Sequence, residues 1–427
     1  MALALREAVF FALMLGFGEA FIVADAVRLG ATPLEMGIVV ALPLFVGAGG
    51  PGAALVALRR GFPSRAVSVA GASLQAYALG LAATLELMGT MSPADLVALA
   101  CAYQLGGQVA ATASSTWLGD VVPVEQRTVF FARRTRRVHL GTVTGLALGG
   151  VVLQTFISSG SPGLGFASVF AMAALARTNS VRLQRRAPAA PTTRPLPLRD
   201  LRTVLAPAHR HQLRTLAVGA AALQLAVYLA APFFTPHMLG TLRMSYFELT
   251  VATLAQGLGS ALALPMWGRS IERYGAQRVY LLSLAVVTIV PLPWLVIDGA
   301  PGAVAAQMLA GVGWAAYEVG LLSLLLQLTE PQTRPHALAA AALGTGLGQL
   351  VGGLGATIIV EQLGFDAALE ATFLLRLLVM VVMVWWLRGV RLPRGAFQMG
   401  PRLWRLVGFR PHAGFVLAIR ASAGRRR

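Results

Sequence analysis

The sequence predicts an all-α membrane protein with twelve transmembrane helices in two six-helix bundles. Of its 427 residues, 56% are hydrophobic and only 12% are charged, whereas a soluble domain carries about 25% charged residues. The apolar residues come in blocks of roughly 20, the length that crosses the hydrocarbon core as a helix. Because a backbone in lipid must satisfy its own hydrogen bonds, we expect these blocks to be helical.

The predicted spans divide into two sets of six. The first set is 8–28, 34–57, 66–88, 94–117, 138–158 and 163–181. The second set is 214–238, 247–268, 277–297, 301–328, 337–360 and 367–388. The predicted domains are therefore a first bundle over 1–183, a linker over 184–213, a second bundle over 214–388 and a tail over 389–427.

The arginines predict the orientation, because basic residues gather in cytoplasmic loops. The gaps on one predicted face hold Arg6, Arg59, Arg60, Arg65, Arg127, Arg133, Arg134, Arg136, Arg137, Arg269, Arg273, Arg278 and Arg334, with the linker and the tail. The opposite gaps hold Arg28 and Arg243 among acids: Glu35, Glu86, Asp95, Glu248, Asp298, Glu361 and Asp366. We expect a protein of the cell inner membrane with both termini in the cytoplasm.

The formal net charge of +18 would suggest nucleic acid in a soluble protein. Here the positive-inside rule explains it better, and no nucleic-acid partner is expected. The basic loops and tail are instead expected to lie against anionic lipid. The linker, with Pro188, Pro191, Pro195 and Pro197, is expected to tether two bundles that move against each other.

The two halves resemble each other in their loops. Pro123 and Arg127 follow the fourth span, as Pro331 and Arg334 follow the tenth. Arg60-Gly61 with Arg65 follows the second span, as Arg273-Tyr274-Gly275 with Arg278 follows the eighth. Each pair is separated by about half the chain, as expected for a duplicated unit.

Twelve spans in two repeats resemble the major facilitator superfamily over about residues 6–388. The loop at 268–278 is similar to the family's signature loop of a glycine, an acid-arginine pair, a glycine and basic residues. Glu272 stands where aspartate is usual, Ala276 and Gln277 replace the usual basic pair, and the first-half copy at 58–65 has no acid. The stretch 117–134 also resembles the loop between helices 4 and 5 of bacterial members.

The resemblance implies a cytoplasmic gate, in which this loop latches the two bundles. Its candidate residues are Gly268, Glu272, Arg273, Gly275 and Arg278. An acid and an arginine near helix ends can pair across the bundles or meet a helix dipole. The alternative is that these residues are only loop charges that set the topology.

Glu19, in the first span, and Glu318, in the tenth, are the strongest candidates for a functional site. An ionisable group at membrane depth is costly and usually faces a cavity, and the resemblance places spans 1, 4, 7 and 10 around one. Each glutamate can be protonated in one facing state and ionised in another, because an apolar environment disfavours the charged form. The alternative is a structural hydrogen bond between helices. Asp25, nearer the end of its span, is compatible with contact to water.

Polar and aromatic side chains on the same spans extend the candidate site. Gln104 and Gln108 share one helix face, as do Gln224 and Tyr228, and Trp314 lies one turn before Glu318. A mostly apolar cavity with a few polar groups suits an amphiphilic small molecule. Each glutamine alone is better explained as an interhelical hydrogen bond.

The sequence shows no zinc-ligand spacing, no nucleophile–base set and no nucleotide-binding motif, so we expect neither an enzyme nor a cofactor nor a metal. The resulting hypothesis is a secondary active transporter that exports a small amphiphilic solute in exchange for protons by alternating access. Two alternatives stay open: an uptake symporter, and a non-transporting membrane protein that senses a ligand or binds a partner.

Overall fold

The structure of the protein is a computed structural model. It describes residues 1–123, 127–188, 210–329 and 334–388. The predicted linker over 184–213 therefore lies mostly outside the described residues, and the predicted tail over 389–427 lies wholly outside them. Within those ranges the chain is helical and contains no strand.

The described residues of the first half, 1–123 and 127–188, contain eight helices. They are α1 (Ala2–Phe17), α2 (Ile22–Arg28), α3 (Pro33–Ala48), α4 (Gly50–Arg59), α5 (Ser64–Met88), α6 (Pro93–Val121), α7 (Arg127–Ser158) and α8 (Pro162–Arg186). The second half contains α9 (Arg210–Tyr228), α10 (Tyr246–Tyr274), α11 (Ala276–Ile289), α12 (Ala300–Leu328) and α13 (Arg334–Arg388). Short turns follow α9, including a π-helical turn at His237–Thr241.

The prediction of twelve spans is confirmed. Among the described residues, eleven helical segments are long and apolar enough to cross a membrane, and the last is the 47-residue segment Ala341–Leu387. At helical rise that segment is about twice the thickness of a bilayer core. It bends at Gly364, where φ is 86° and ψ is 175°, and so supplies two spans.

Several helices extend beyond the predicted apolar blocks. The fifth span was predicted from residue 138, whereas α7 begins at Arg127 and includes four arginines at 133, 134, 136 and 137. The sixth was predicted to end at 181, whereas α8 ends at Arg186. Hydropathy locates the part of a helix in hydrocarbon, and the same helix can continue into the polar interface.

The described residues form two compact units. Unit 1 takes residues 1–31 and 42–188, and unit 2 takes residues 32–41 and the described residues from 210 to 388. The division thus falls inside α3, so that residues 32–41 group with unit 2.

Within each unit the helices pair in the same way. In unit 1, α1 packs against α7, α4 against α6, and α5 against α8. In unit 2, α9 packs against α13, α10 against α12, and α11 against α13. Counted by spans, the pairing is the same in each half: the first span packs against the fifth, the second against the fourth and the third against the sixth. The duplicated loops therefore belong to duplicated packing.

Small residues permit the closest of these contacts. A Cβ on Gly16 of α1 would lie 2.4 Å from the backbone nitrogen of Leu146 in α7. In the equivalent pair of unit 2, a Cβ on Gly348 would lie 2.2 Å from the carbonyl oxygen of Ala221. Only glycine fits at these crossings, as expected where helices associate by close packing rather than by a hydrophobic force.

Candidate functional site

The first span is broken at the candidate glutamate. α1 ends at Phe17, a 3₁₀ turn covers Glu19–Phe21, and α2 begins at Ile22. The sequence interpretation had one continuous helix over 8–28. A short 3₁₀ segment within a helix often marks a hinge or a functional position, and here it carries the carboxylate.

Glu19 is held by two side chains of α6. Its Oε2 accepts a hydrogen bond from the Tyr103 hydroxyl at 3.1 Å, and its Oε1 accepts one from Gln104 Nε2 at 3.2 Å. The Tyr103 hydroxyl also lies 3.2 Å from the sulfur of Met14. The structure thus brings Glu19 and Gln104 together, and it adds Tyr103, which the sequence interpretation missed.

Gln108 lies one turn further along α6 and is buried. It packs against α4, where a Cβ on Gly50 would lie 2.6 Å from the Gln108 Cβ. Its position is therefore at a helix contact.

Gln224 and Tyr228 lie on α9 in unit 2. The Gln224 Oε1 accepts a hydrogen bond from Gln349 Nε2 of α13 at 3.2 Å. Tyr228 is buried, and no described residue makes a hydrogen bond to its hydroxyl. Gln224 thus makes an interhelical hydrogen bond, while the Tyr228 hydroxyl is left available to another group.

Glu318 lies beyond the middle of α12 and is partly buried. Trp314, one turn earlier, packs edge-on against Tyr317 with ring centroids 5.5 Å apart, and Tyr317 lies 5.8 Å from the ring of Tyr280. Within the described ranges, no residue makes a hydrogen bond or an ion pair to the Glu318 carboxylate. Glu19 and Glu318 are predicted to act alike, but their surroundings differ. Described residues donate hydrogen bonds to Glu19, and none donates to Glu318.

The gate candidates lie where α10 meets α11. Gly268 is buried in α10, whereas Glu272, Arg273, Gly275 and Arg278 are exposed. The guanidinium of Arg273 lies 5.3 Å from the ring of its neighbour Tyr274, and no described residue forms an ion pair with Glu272.

The glycine of this loop has a conformational role. Gly275 has a φ of 86°, a value that favours glycine. Gly61, its counterpart in the first half, has the same φ of 86°. In that first-half copy, Arg65 donates to the carbonyl oxygens of Ala187 and Arg185 at the end of α8, so the loop without an acid binds helix-end carbonyls.

A buried cluster around Glu7 of α1 was missed by sequence reasoning. Its Oε1 accepts hydrogen bonds from Ser180 Oγ at 2.9 Å and Gln184 Nε2 at 3.0 Å, both on α8. Its Oε2 accepts one from Arg134 of α7 at 3.2 Å, and Arg177 of α8 lies 4.0 Å from its Oε1. Glu7 is 3% exposed. The carboxylate therefore joins three helices of unit 1.

A second buried cluster joins α2 to α5, and we call it the Arg28 triad. Arg28 forms ion pairs with Asp25 and Glu86, each at 2.6 Å, and its guanidinium lies 4.9 Å from the ring of Phe166. Asp25 is 0% exposed. The interpretation of Asp25 as compatible with water contact is wrong, because this residue is fully buried.

Arg376, in the last span, is also buried. It donates from its Nη1 to the carbonyl oxygen of Val287 at 2.9 Å. In a continuous helix that oxygen would accept from the backbone N–H four residues on, but residue 291 is a proline and has none. Arg376 thus supplies the donor that Pro291 lacks, at the C-terminal end of α11, where a cation is favourable.

The family-level comparisons agree with this architecture. The family model described as Major Facilitator Superfamily matches residues 216–423. A crystal structure of the nucleoside transporter NupG superposes with a TM-score of 0.64 at 13% identity, covering 91% of this chain and 100% of that one. The second half of the chain is thus similar to the major facilitator superfamily. The likeness in structure, at this identity, bears on the fold alone.

Two relatives match a shorter stretch of the chain. One is an uncharacterized MFS-type transporter, Rv1250, of Mycobacterium tuberculosis, and the other is a multi-drug resistance efflux pump PmrA homolog of Lactococcus lactis subsp. lactis. Each is 28% identical over 131 residues, which is 31% of this chain. The match spans 23% of the first relative and 32% of the second.

Proposed function

We propose that the protein is a secondary transporter that exports a small amphiphilic solute in exchange for protons by alternating access. The observation that carries the proposal is the Glu318 carboxylate, which lies on an apolar helix without a hydrogen bond or ion pair to any described residue. A carboxylate in such surroundings is costly when ionised. Binding a proton or a cationic group removes that cost, so Glu318 is the proposed coupling residue.

The surroundings of Glu318 favour an amphiphilic solute. Trp314 and Tyr317 place aromatic surface beside the carboxylate, and a mostly apolar wall with one charge suits a flat molecule that carries a positive group. The relative named as a multi-drug resistance efflux pump agrees with export but covers too little of the chain to decide it.

Glu19 is proposed to have a different role. Each of its carboxylate oxygens accepts a hydrogen bond from α6, and the residue lies at the break in the first span. We propose that Glu19 changes partners between facing states, with Tyr103 and Gln104 as its partners in the state described here.

The proposal includes the topology and the lipid contacts. The arginine pattern supports a cell inner membrane protein with cytoplasmic termini and basic loops against anionic lipid. The residue ranges predicted for the two bundles, the linker and the tail are part of the same proposal. The expectation that the chain is not an enzyme agrees with the superfamily and with the transporters to which it is similar.

Reconstituted flux tests the proposal. The full chain is first screened by ligand-induced thermal shift at two pH values, against a panel of amphiphilic cations, neutral amphiphiles and anions. The strongest ligand is then followed in liposomes with and without an imposed pH gradient. The variant is Glu318→Gln, and the matched control is Glu361→Gln, which changes an exposed glutamate.

We expect a pH gradient to drive flux in the wild type and in Glu361→Gln. In Glu318→Gln we expect the gradient-driven component to be lost while the protein stays folded. Gradient-driven flux that survives in Glu318→Gln excludes this residue as the coupling group. Solute flux in the same direction as the protons that move down their gradient identifies uptake by symport. Ligand binding without any solute flux supports the sensor alternative.

A further inference from the structure

The Arg28 triad, formed by Asp25, Arg28 and Glu86, has no part in the proposed coupling at Glu318. It lies in unit 1, where it joins α2 to α5, and both acids are buried, with Asp25 0% and Glu86 4% exposed. The ring of Phe166 covers the guanidinium. Water therefore does little to screen the charges of the triad from one another.

The formal charges of the triad do not balance. One arginine can neutralise one carboxylate, and here it contacts two. The same nitrogen, Arg28 Nη2, lies 2.6 Å from Asp25 Oδ1 and 2.6 Å from Glu86 Oε1. The two oxygens are thus at most twice that distance apart, and two carboxylates this close in a shielded site cannot both ionise without a large cost.

The hydrogen bonds of the triad are also incomplete. Asp25 Oδ1 accepts from Arg28 Nε at 2.8 Å, but no described residue donates to the buried Asp25 Oδ2. The Glu86 carboxylate binds the same nitrogen of Arg28 and is therefore an acceptor placed beside Asp25. Two ionised carboxylates both accept and neither donates, so their contact lacks a hydrogen.

We propose that the Arg28 triad is a proton-binding site, in which one proton resides on Asp25 Oδ2 and is donated to the carboxylate of Glu86. That proton turns the contact between two acceptors into a hydrogen bond and makes the triad neutral, with one arginine, one carboxylate and one carboxylic acid. The charged groups that act on the pair from the elements around it are Arg28 of α2 and the two acids themselves. The site lies on other helices than Glu318 and does not rest on the transport proposal.

Infrared spectroscopy tests the site directly. The full chain in lipid vesicles is titrated with pH, and the C=O stretching band of protonated carboxyl groups is recorded. The protein carries ¹³C in its aspartate carboxyl groups, so that an aspartate band is separated from any band of a protonated Glu318. We expect an aspartate band at neutral pH that disappears in Asp25→Asn. It also disappears in Glu86→Gln, because Asp25 then ionises beside Arg28 without a competing carboxylate. The matched control Asp366→Asn, at an exposed aspartate, keeps the band.

The result that overturns the proposal is an aspartate band that persists in Asp25→Asn or in Glu86→Gln, or no aspartate band in the wild type at neutral pH. If either variant fails to fold, the wild type labelled with ¹³C in its aspartate carboxyl groups decides. The band must then shift with aspartate labelling, and a band that shifts only with glutamate labelling contradicts the assignment. Glu318→Gln must keep the aspartate band, so a failure of the coupling role and a failure of this site give different results.

Discussion

Among the described residues, buried charges have oppositely charged partners in unit 1 but not in unit 2. Every salt bridge between described residues lies in unit 1, in the Arg28 triad and in the cluster of Glu7 with Arg134 and Arg177. In unit 2, Glu318 and Arg376 have no oppositely charged partner among the described residues. The helix pairs are duplicated, but the charges are not.

This difference separates charges that stabilise the fold from charges that are candidates for a role in transport. A charge fixed by several partners stabilises one arrangement of helices, and breaking its pairs is costly. A charge that lacks an ionic partner costs free energy in the state described, and that cost can be relieved by a proton, a solute or another conformation. We therefore expect substitutions in unit 1 to affect stability most, and substitutions at Glu318 to affect function most.

The largest effect on stability is expected for Glu7→Gln. The substitution removes the carboxylate charge that faces the buried Arg177 and the partly buried Arg134. Removal of one partner from a buried pair costs about 3–5 kcal/mol. Thermal unfolding of the purified protein in detergent measures it as a lower Tm. Glu361→Gln, the exposed control, should leave the Tm unchanged. A Glu7→Gln protein as stable as the control would show that the Glu7 cluster contributes no net stability.

A smaller effect is expected for Arg376→Met in unit 2. The change removes one charge-assisted hydrogen bond, worth about 1.5–3 kcal/mol, but it leaves no unpaired charge and it removes a buried cation. We therefore expect a net loss of free energy of unfolding of about 1 kcal/mol, since the hydrogen bond is partly offset by the cost of burying the guanidinium.

The carbonyl of Val287 provides the control for that prediction. Pro291→Ala restores the backbone N–H that this oxygen lacks. In the double variant, Pro291→Ala should recover part of the stability lost in Arg376→Met, and the two changes should be non-additive. Additive effects in this double-mutant cycle would separate Arg376 from the proline and contradict its assignment as a helix-end donor.

The sequence was sufficient for the spans because hydropathy and loop charge are local properties. It named Glu19 and Gln104 as candidates on two different spans, but only the structure shows the hydrogen bond between them. It was not sufficient for Glu7, because Arg6 beside it made the segment look like a loop end. The buried position of Glu7 depends on Ser180, Gln184 and Arg134, which are distant in the sequence.

Backbone geometry was equally hard to predict. The break at Glu19–Phe21 lies in a continuous apolar block, and hydropathy carries no information about a 3₁₀ turn. The role of Arg376 depends on Pro291, which lies just beyond the end of α11, so only the packing of α11 against α13 reveals it. The turn at Gly275, by contrast, was signalled by its motif, because glycine is favoured at a positive φ.

The smallest effects on stability are expected for substitutions in the loop at 268–278 of unit 2 and in its first-half copy at 58–65 of unit 1. Arg65 of unit 1 donates to carbonyl oxygens at the end of α8, so Arg65→Gln should cost about 1 kcal/mol. Glu272 of unit 2 is exposed and forms no ion pair with a described residue. Glu272→Gln should therefore change the free energy of unfolding by less than about 0.5 kcal/mol.

The rate of transport distinguishes a latch from a loop charge at Glu272. A latch forms and breaks within each cycle, so Glu272→Gln should alter the rate of solute flux in liposomes while its Tm equals that of the wild type. An unchanged rate leaves Glu272 as a topology-setting charge. A Tm that falls as far as in Glu7→Gln would contradict the description of Glu272 as an exposed charge, because an exposed charge contributes little to stability.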